Sequence, residues 1–214
     1  MNIKKLINNK DYKGIEEALQ HNPELANEGI PYDEVNMVKA HPLHRICDLV
    51  HLNTLSEDEA LTIARIFLTN GADVNGGTMK VKVDTPLIAA ASLGADDLGI
   101  LYIENDADIH HPGTHGGTAL HWAAWCGREK LLKRLIDEDA EMNKLCVDFT
   151  STPLFWAIHG YWSCGRKNPQ EYLECARLLL EAGADKTIPN FEGYTVIDML
   201  NETDQEFISL LNGA

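Results

Sequence analysis

Apolar residues in this 214-residue chain fall into segments of two alternating kinds. One kind is rich in small side chains, such as Ala123 and Ala124, and the other carries runs of large ones, such as 66–68 and 178–180. Small side chains let a helix lie close to its neighbours, whereas large ones fill the volume between helices. The pattern predicts pairs of helices, each with a short inner helix and a bulkier outer helix. Because no single pair can bury its own apolar face, we expect the pairs to stack.

A four-residue motif marks the start of each inner helix. Its threonine can cap the helix through the hydroxyl group, and its proline is tolerated at the first helical position. A second motif, Gly-Ala-Asp or a variant, ends four of the units, and Gly71 and Gly183 can take the left-handed conformation that terminates a helix. The copies of the first motif are His41-Pro42-Leu43-His44, Thr85-Pro86-Leu87-Ile88, Thr118-Ala119-Leu120-His121, Thr152-Pro153-Leu154-Phe155 and the weaker Thr195-Val196-Ile197-Asp198.

Thr-Pro-Leu-His followed by Ala-Ala, and later by Gly-Ala-Asp, resembles the ankyrin repeat. Residues 117–127, GTALHWAAWCG, are close to the consensus of that family, and the resemblance covers residues 41–201. It implies an all-α fold, an ankyrin-repeat solenoid of stacked helix-turn-helix units whose connecting turns form β-hairpin-like fingers. We expect one domain over 1–214, with an N-terminal capping helix pair and loop at 1–40, repeats at 41–84, 85–117, 118–151 and 152–194, and a C-terminal cap at 195–214.

Two of these repeats are about ten residues longer than the others. We expect the extra residues to lie between the inner and outer helices, at 51–57 in one repeat and at 163–169 in the other. Within the first insertion, Ser56 is a predicted N-cap, with Glu59 as its capping-box partner. The insertions are either a second binding surface or simple extensions of the loops and helices.

By resemblance, a partner would bind along the inner helices and at the turn tips. The fourth and seventh residues after each motif threonine then face the groove, and three of the four tryptophans fall on these positions. Exposed aromatic clusters are typical of interfaces, although the rings could instead fill the packing between helices. The groove candidates are Arg45, Asp48, Ala89, Ser92, Trp122, Trp125, Trp156 and His159, with Tyr161 and Trp162 at the end of the same helix, and the tip candidates are Met79, Lys80, His111, His115, Asp148, Phe149, Asn190 and Phe191.

The net charge of −15 indicates which kind of partner the chain can bind. Such a surface repels a phosphate backbone, so we expect no nucleic acid to bind, and it steers a basic protein toward the chain. The acidity could also serve solubility alone. The sequence contains no apolar run of about 20 residues and no secretory leader, so we expect no membrane insertion and a cytoplasmic monomer.

The sequence gives little support for enzyme activity or for a metal site. The five cysteines form no CxxC pair, and there is no GxxxxGK[ST] or GxGxxG loop. Cys126 and His159 could approach each other across adjacent inner helices, but no oxyanion hole is evident. The histidines at 110, 111, 115 and 121 are close in sequence, yet His121 belongs to the repeat motif. We therefore predict no enzyme activity, no cofactor and no metal.

The preferred hypothesis is a non-catalytic protein–protein interaction module whose aromatic groove binds a basic partner. Three alternatives stay open. The chain could be an immunity- or antitoxin-type inhibitor of a basic enzyme. It could recognise a methylammonium group in a cage formed by Trp122, Trp125 and Trp156. It could also act as a general scaffold without one dominant partner.

Overall fold

The computed structural model of the chain describes residues 2–32, 38–77, 83–164 and 168–213. The tip candidates Met79 and Lys80, and residues 165–167 of the second insertion, lie outside these ranges. The chain forms two compact units, Met1–Lys80 with Asp84–Asp108 and Val81–Val83 with Ile109–Ala214. The predicted single domain and its repeat boundaries stay predictions.

The first unit consists of helix pairs. α1 packs on α2, α3 on both α4 and α5, α5 on α6, and the outer helices α2, α4 and α6 follow one another. Short strands β1 and β2 are antiparallel, with Ile30 opposite Ala40. The elements are α1 (Ile3–Asn8), α2 (Tyr12–His21), a 3-10 turn (Pro23–Ala26), β1 (Ile30–Pro31), β2 (Lys39–Ala40), α3 (Pro42–His51), α4 (Glu57–Thr69), α5 (Pro86–Leu93) and α6 (Asp96–Ile103).

The second unit repeats this plan. α7 packs on α8 and α9, α9 on α10, and α10 on α8 and α11. Its core is formed by fully buried leucines on α8, α9 and α10, among them Leu132, Leu154 and Leu179. The elements are a 3-10 turn (Thr114–Gly116), α7 (Ala119–Trp125), α8 (Glu129–Asp137), α9 (Pro153–Ser163), α10 (Pro169–Glu181) and α11 (Gln205–Gly213).

Helix starts follow the chemistry of the motif. The hydroxyl groups of Thr85 and Thr152 each accept a hydrogen bond from a backbone N–H three residues ahead, and each is followed by proline at the first helical position. Ser56 and Glu59 form the predicted capping box at the start of α4. Asp11 caps α2 by accepting the N–H of Gly14 at 2.9 Å. The caps predicted at Thr85, Thr152 and Ser56 are thereby confirmed.

The extra residues of the long repeats go mainly into the helices. α3 and α9 have 10 and 11 residues, whereas α5 and α7 have 8 and 7. The outer helices α4 and α10 have 13 residues each, against 8 in α6 and 9 in α8. The insertions therefore lengthen both helices of a pair, rather than forming only a loop between them.

Asparagine side chains join successive turns. In the first unit, Asn27 donates to the carbonyl of Gly71 at 2.9 Å and accepts the N–H of Asp73 at 2.7 Å. In the second unit, Asn143 accepts the N–H of Asp185 at 2.7 Å. Asn27 thus gives the N-terminal cap the same inter-repeat bond that a full repeat uses.

Candidate functional site

An aromatic cavity of about 360 Å³ lies in the second unit. Helices α7 and α9 form its inner wall, and the turns that precede α7, precede α9 and follow α10 form its rim. Two histidines, His115 and His159, and most of the large rings of this region face it. The lining residues are His115, Trp122, Trp125, Phe149, Ser151, Phe155, Trp156, His159, Asn190, Phe191, Glu192 and Met199.

Three tryptophans form the centre of this cavity. The ring centroids of Trp122 and Trp156 lie 5.2 Å apart with an interplanar angle of 82°, and those of Trp125 and Trp156 lie 5.6 Å apart at 69°. Trp122 and Trp125 share one face of α7 because they are three positions apart. Trp156 is only 4% exposed, so it forms the floor, while the other two rings are half-buried. Such edge-to-face pairs contribute about 0.5–1.5 kcal/mol each beyond their burial.

Two glycines allow this close arrangement. A Cβ at Gly160 on α9 would lie 2.1 Å from the carbonyl oxygen of Trp125, so α9 approaches α7 backbone to backbone. A Cβ at Gly117 would lie 2.9 Å from the ring of Trp156. Side chains at either position would push Trp156 away from the rings of α7.

His121 holds the turn that carries part of the rim. Its Nδ1 accepts the N–H of Thr118 at 3.1 Å, and its Nε2–H then donates to the carbonyls of Lys144 and Ser151 at 3.1 and 3.2 Å. Burial lowers the pKa of His121 to about 4, so the ring is neutral. This motif histidine therefore joins the start of α7 to the turn that precedes α9.

The two cavity histidines have different surroundings. His115 adopts a left-handed backbone with a φ of 59°. Its Nδ1 lies 3.1 Å from a carboxylate oxygen of Asp148, and its ring centroid lies 5.1 Å from that of Phe149. His159 packs on Trp125, with centroids 5.0 Å apart, and burial lowers its pKa.

Some predicted groove residues lie elsewhere. The expectation that Tyr161 faces the groove is wrong, because it is 8% exposed and packs on Tyr172 and Phe207, with centroids 6.0 and 4.8 Å away. Trp162 is half-buried and is not among the residues that line the cavity. Tyr161, two positions beyond His159 on α9, thus packs toward α10 and α11. Trp156 does line the cavity, but as a buried floor instead of an exposed anchor.

Arg45 and Asp48 lie in the first unit and are mostly buried. The guanidinium carbon of Arg45 lies 5.0 Å from the ring centroid of Tyr32, and its Nη1 lies 3.4 Å from a carboxylate oxygen of Asp48. Burial, followed by the charge of Asp48, raises the pKa of Tyr32. The side chains of Arg45 and Asp48 are 10% and 15% exposed, so this ion pair mainly connects residues within the fold.

The four histidines that are close in sequence contact different residues and do not share one site. His110 lies 3.6 Å from Glu141, and His111 contacts the carbonyl of Val83 at 2.9 Å, while His115 and His121 make the contacts above. Across residues 2–32, 38–77, 83–164 and 168–213, no group of three or more potential ligands could hold a metal ion. In the same ranges, no helix has the length and apolar character needed to cross a membrane.

Sequence reasoning missed several lining residues. Phe155 was seen only as part of the motif, and Ser151, Glu192 and Met199 carried no signal. Met199 lies in the C-terminal cap, where the repeat motif is weak. Counting residues from the motif therefore could not place its side chain. Glu192 follows the tip residue Phe191, and that neighbour was the one available clue.

Comparison with known proteins agrees with the repeat pattern. The family profile described as ankyrin repeats (3 copies) matches residues 51–146 and 87–190. The chain is also 35% identical over 97 residues to palmitoyltransferase ZDHHC13 of Mus musculus, covering 45% of this chain and 14% of that protein. It is 30% identical over 95 residues to palmitoyltransferase Hip14 of Drosophila melanogaster, covering 44% of this chain and 13% of that protein. The chain thus spans only about a seventh of the curated relatives it matches.

These matches confirm the predicted all-α ankyrin-repeat fold. Repeats of this kind mediate protein–protein interaction and are not themselves catalytic. The repeated helix pairs, the caps at their threonines and the profile match over residues 51–190 lead to one assignment. The chain belongs to the ankyrin-repeat family.

Proposed function

We propose that this protein is a non-catalytic interaction module that binds a basic partner protein in its aromatic cavity. The observation that carries the proposal is the position of Trp122 and Trp125, two half-buried rings that stand on the buried ring of Trp156. We also propose that the protein acts as a monomer in the cytoplasm.

The cavity has the properties of an anchor site. Tryptophan is enriched among the few residues that dominate binding energy, particularly in pockets that lose water on association. The volume of about 360 Å³ is at the small end of the range of ligand pockets, which suits one or two side chains of a partner. Because the rings are held by one another and by tightly packed helices, little conformational entropy is lost on binding.

The charge of the protein favours a basic partner. A net charge of −15 accelerates the encounter with a positively charged protein, whereas affinity would come chiefly from desolvating the rings. We therefore expect the association rate to fall with added salt and the dissociation rate to depend on the tryptophans.

Affinity capture from the source cell tests the proposal. The bait variants are Trp125→Ala, which opens the cavity wall, and Trp162→Ala, a matched change at a half-buried tryptophan outside the cavity. We expect quantitative mass spectrometry to show a basic partner that is reduced more than about tenfold with Trp125→Ala, as for an interface anchor. The Trp162→Ala bait should retain that partner.

Equal recovery of all partners by the three baits would exclude the cavity as the binding site. A single basic enzyme bound in a salt-sensitive way would favour the inhibitor form of the hypothesis. Many partners, all insensitive to the Trp125→Ala change, would favour a general scaffold.

A second candidate function is recognition of a methylated ammonium group. Three tryptophan rings line the cavity, with Trp122 and Trp125 inclined at 82° and 69° to Trp156, and Glu192 adds a carboxylate to the lining. Cation–π attraction contributes about 2 kcal/mol when the cation is desolvated.

Tryptophan fluorescence separates the two candidates. We expect titration with trimethyllysine to quench the emission of the wild-type protein, and the uncharged tert-butyl analogue of that side chain to bind about 30-fold more weakly. The Trp125→Ala variant should lose the response. Equal binding of the charged and uncharged analogues would exclude a cation cage.

A further inference from the structure

Exposed apolar side chains concentrate on the turn tips of the second unit. Val147, Phe149, Phe191 and Tyr194 are 57%, 39%, 63% and 51% exposed. We call these four residues the tip ridge. Contiguous exposed apolar residues on a soluble protein commonly mark an interaction surface.

Backbone hydrogen bonds hold the turns of the tip ridge in place. The turn at 113–117 closes through the N–H of Gly113 and the carbonyl of Gly117 at 3.0 Å, and those at 146–151 and 190–194 close similarly at 3.0 and 2.8 Å. Adjacent turns are joined as well: Val147 donates to the carbonyl of His115 at 3.1 Å, and Phe191 to that of Phe149 at 3.2 Å. The ridge is therefore organised before any partner arrives.

The last turn also fixes the backbone of an acidic residue, Glu192. The side-chain oxygen of Asn190 accepts the N–H groups of Glu192 and Tyr194 at 3.0 and 2.9 Å. Gly193 between them has a φ of 86°, a conformation that suits glycine. The backbone of Glu192 is thus held next to Phe191, and both residues line the cavity rim.

The charge around the tip ridge has one sign. Segments 112–118, 145–151 and 187–199 contain three carboxylates and no lysine or arginine. Asp148 lies against His115 and Asp198 accepts bonds from Thr195, but within the described residues the carboxylate of Glu192 makes no ion pair. A partner that brings a cation to this point would complement it.

The tip ridge is continuous with the cavity, since Phe149 and Phe191 belong to both. We propose that an extended segment of the partner protein runs from the cavity across the tip ridge. It places an apolar side chain against Phe191 and Tyr194 and a lysine or arginine next to Glu192. This inference rests on the proposed function and names the chemistry of the partner at that site.

Selection from a phage-displayed library of random 12-residue peptides tests the inference, with the whole protein as bait. We expect enriched peptides in which a large apolar residue adjoins lysine or arginine. For the most enriched peptide, measured by fluorescence anisotropy, Phe191→Ala should raise Kd about tenfold. Glu192→Gln should raise Kd about threefold and flatten its dependence on salt, as for a carboxylate at an interface rim. Val38→Ala, at a similarly exposed apolar residue of the first unit, should change nothing.

The possible results separate the two proposals. If Trp125→Ala abolishes binding while Phe191→Ala and Glu192→Gln bind as wild type, the cavity proposal stands and the tip ridge is excluded. If Phe191→Ala weakens binding and Trp125→Ala does not, the ridge binds peptide and the cavity proposal fails. Enrichment of peptides without basic residues, or no enrichment at all, would overturn the proposed basic segment.

Discussion

Replacing Gly160 by alanine should lower the free energy of unfolding of the second unit by about 3 kcal/mol, the upper part of the usual range for overpacking. The added Cβ would lie 2.1 Å from the carbonyl oxygen and 2.8 Å from the carbonyl carbon of Trp125. Both atoms are backbone in the neighbouring helix α7, so no rotamer change relieves the contact. α9 would have to move as a body, and Trp156 would move with it.

Gly213→Ala is the matched control for this change. Gly213 also lies in a helix, the last one, but a Cβ there would meet nothing within 4 Å. Alanine has the higher helix propensity, so this variant should be as stable as wild type or slightly more stable. Urea unfolding followed by circular dichroism gives both values, and tryptophan fluorescence reports the cavity. Equal stability of Gly160→Ala and wild type would show that α9 and α7 are less tightly packed than the structure indicates.

The helices could be predicted from the sequence because their determinants are local. Thr85, Thr152 and Ser56 cap helices through contacts that span three residues, and such contacts are visible in a linear motif. The family resemblance extended these local signals to a stacked fold, which the profile match confirms. The bond between Asn27 and Asp73 spans 46 residues in a cap with little repeat signal, so it could not be predicted.

The candidate site was predictable only in part, for a geometric reason. Counting residues from the motif threonine placed Trp122 and Trp125 on one face of a helix, and both line the cavity. The same counting cannot say how deeply a ring lies, so it missed that Trp156 is a floor and that Tyr161 is buried by Phe207 of the last helix. Depth depends on which later elements pack over a residue. The rim residue Glu192 depends on the shape of a turn, which no helical count describes.

Acidification should remove the stabilising contribution of His121. Its pKa is lowered by burial from the ordinary value of 6.5 to about 4 in the folded protein. Above pH 6.5 the ring is neutral in both states, and its bonds to Thr118, Lys144 and Ser151 contribute fully. As the pH falls from 6.5 toward 4, the unfolded chain takes up a proton at this residue while the folded protein does not. The free energy of unfolding then falls by about 1.4 kcal/mol per pH unit, and by about 3 kcal/mol over the whole window.

His121→Gln isolates this effect from every other group that titrates, including His41, whose pKa burial also lowers to about 4. At pH 7 the variant should be less stable than wild type by about 3 kcal/mol, because glutamine is smaller than the imidazole ring and cannot place an acceptor and a donor where the two ring nitrogens lie. Because glutamine does not titrate, the difference between the two proteins should shrink by about 2 kcal/mol between pH 7 and pH 5. Urea unfolding of both proteins at several pH values measures the difference. A difference that stays constant with pH would mean that His121 binds its proton equally well in the folded and unfolded states, and that its role is confined to its hydrogen bonds.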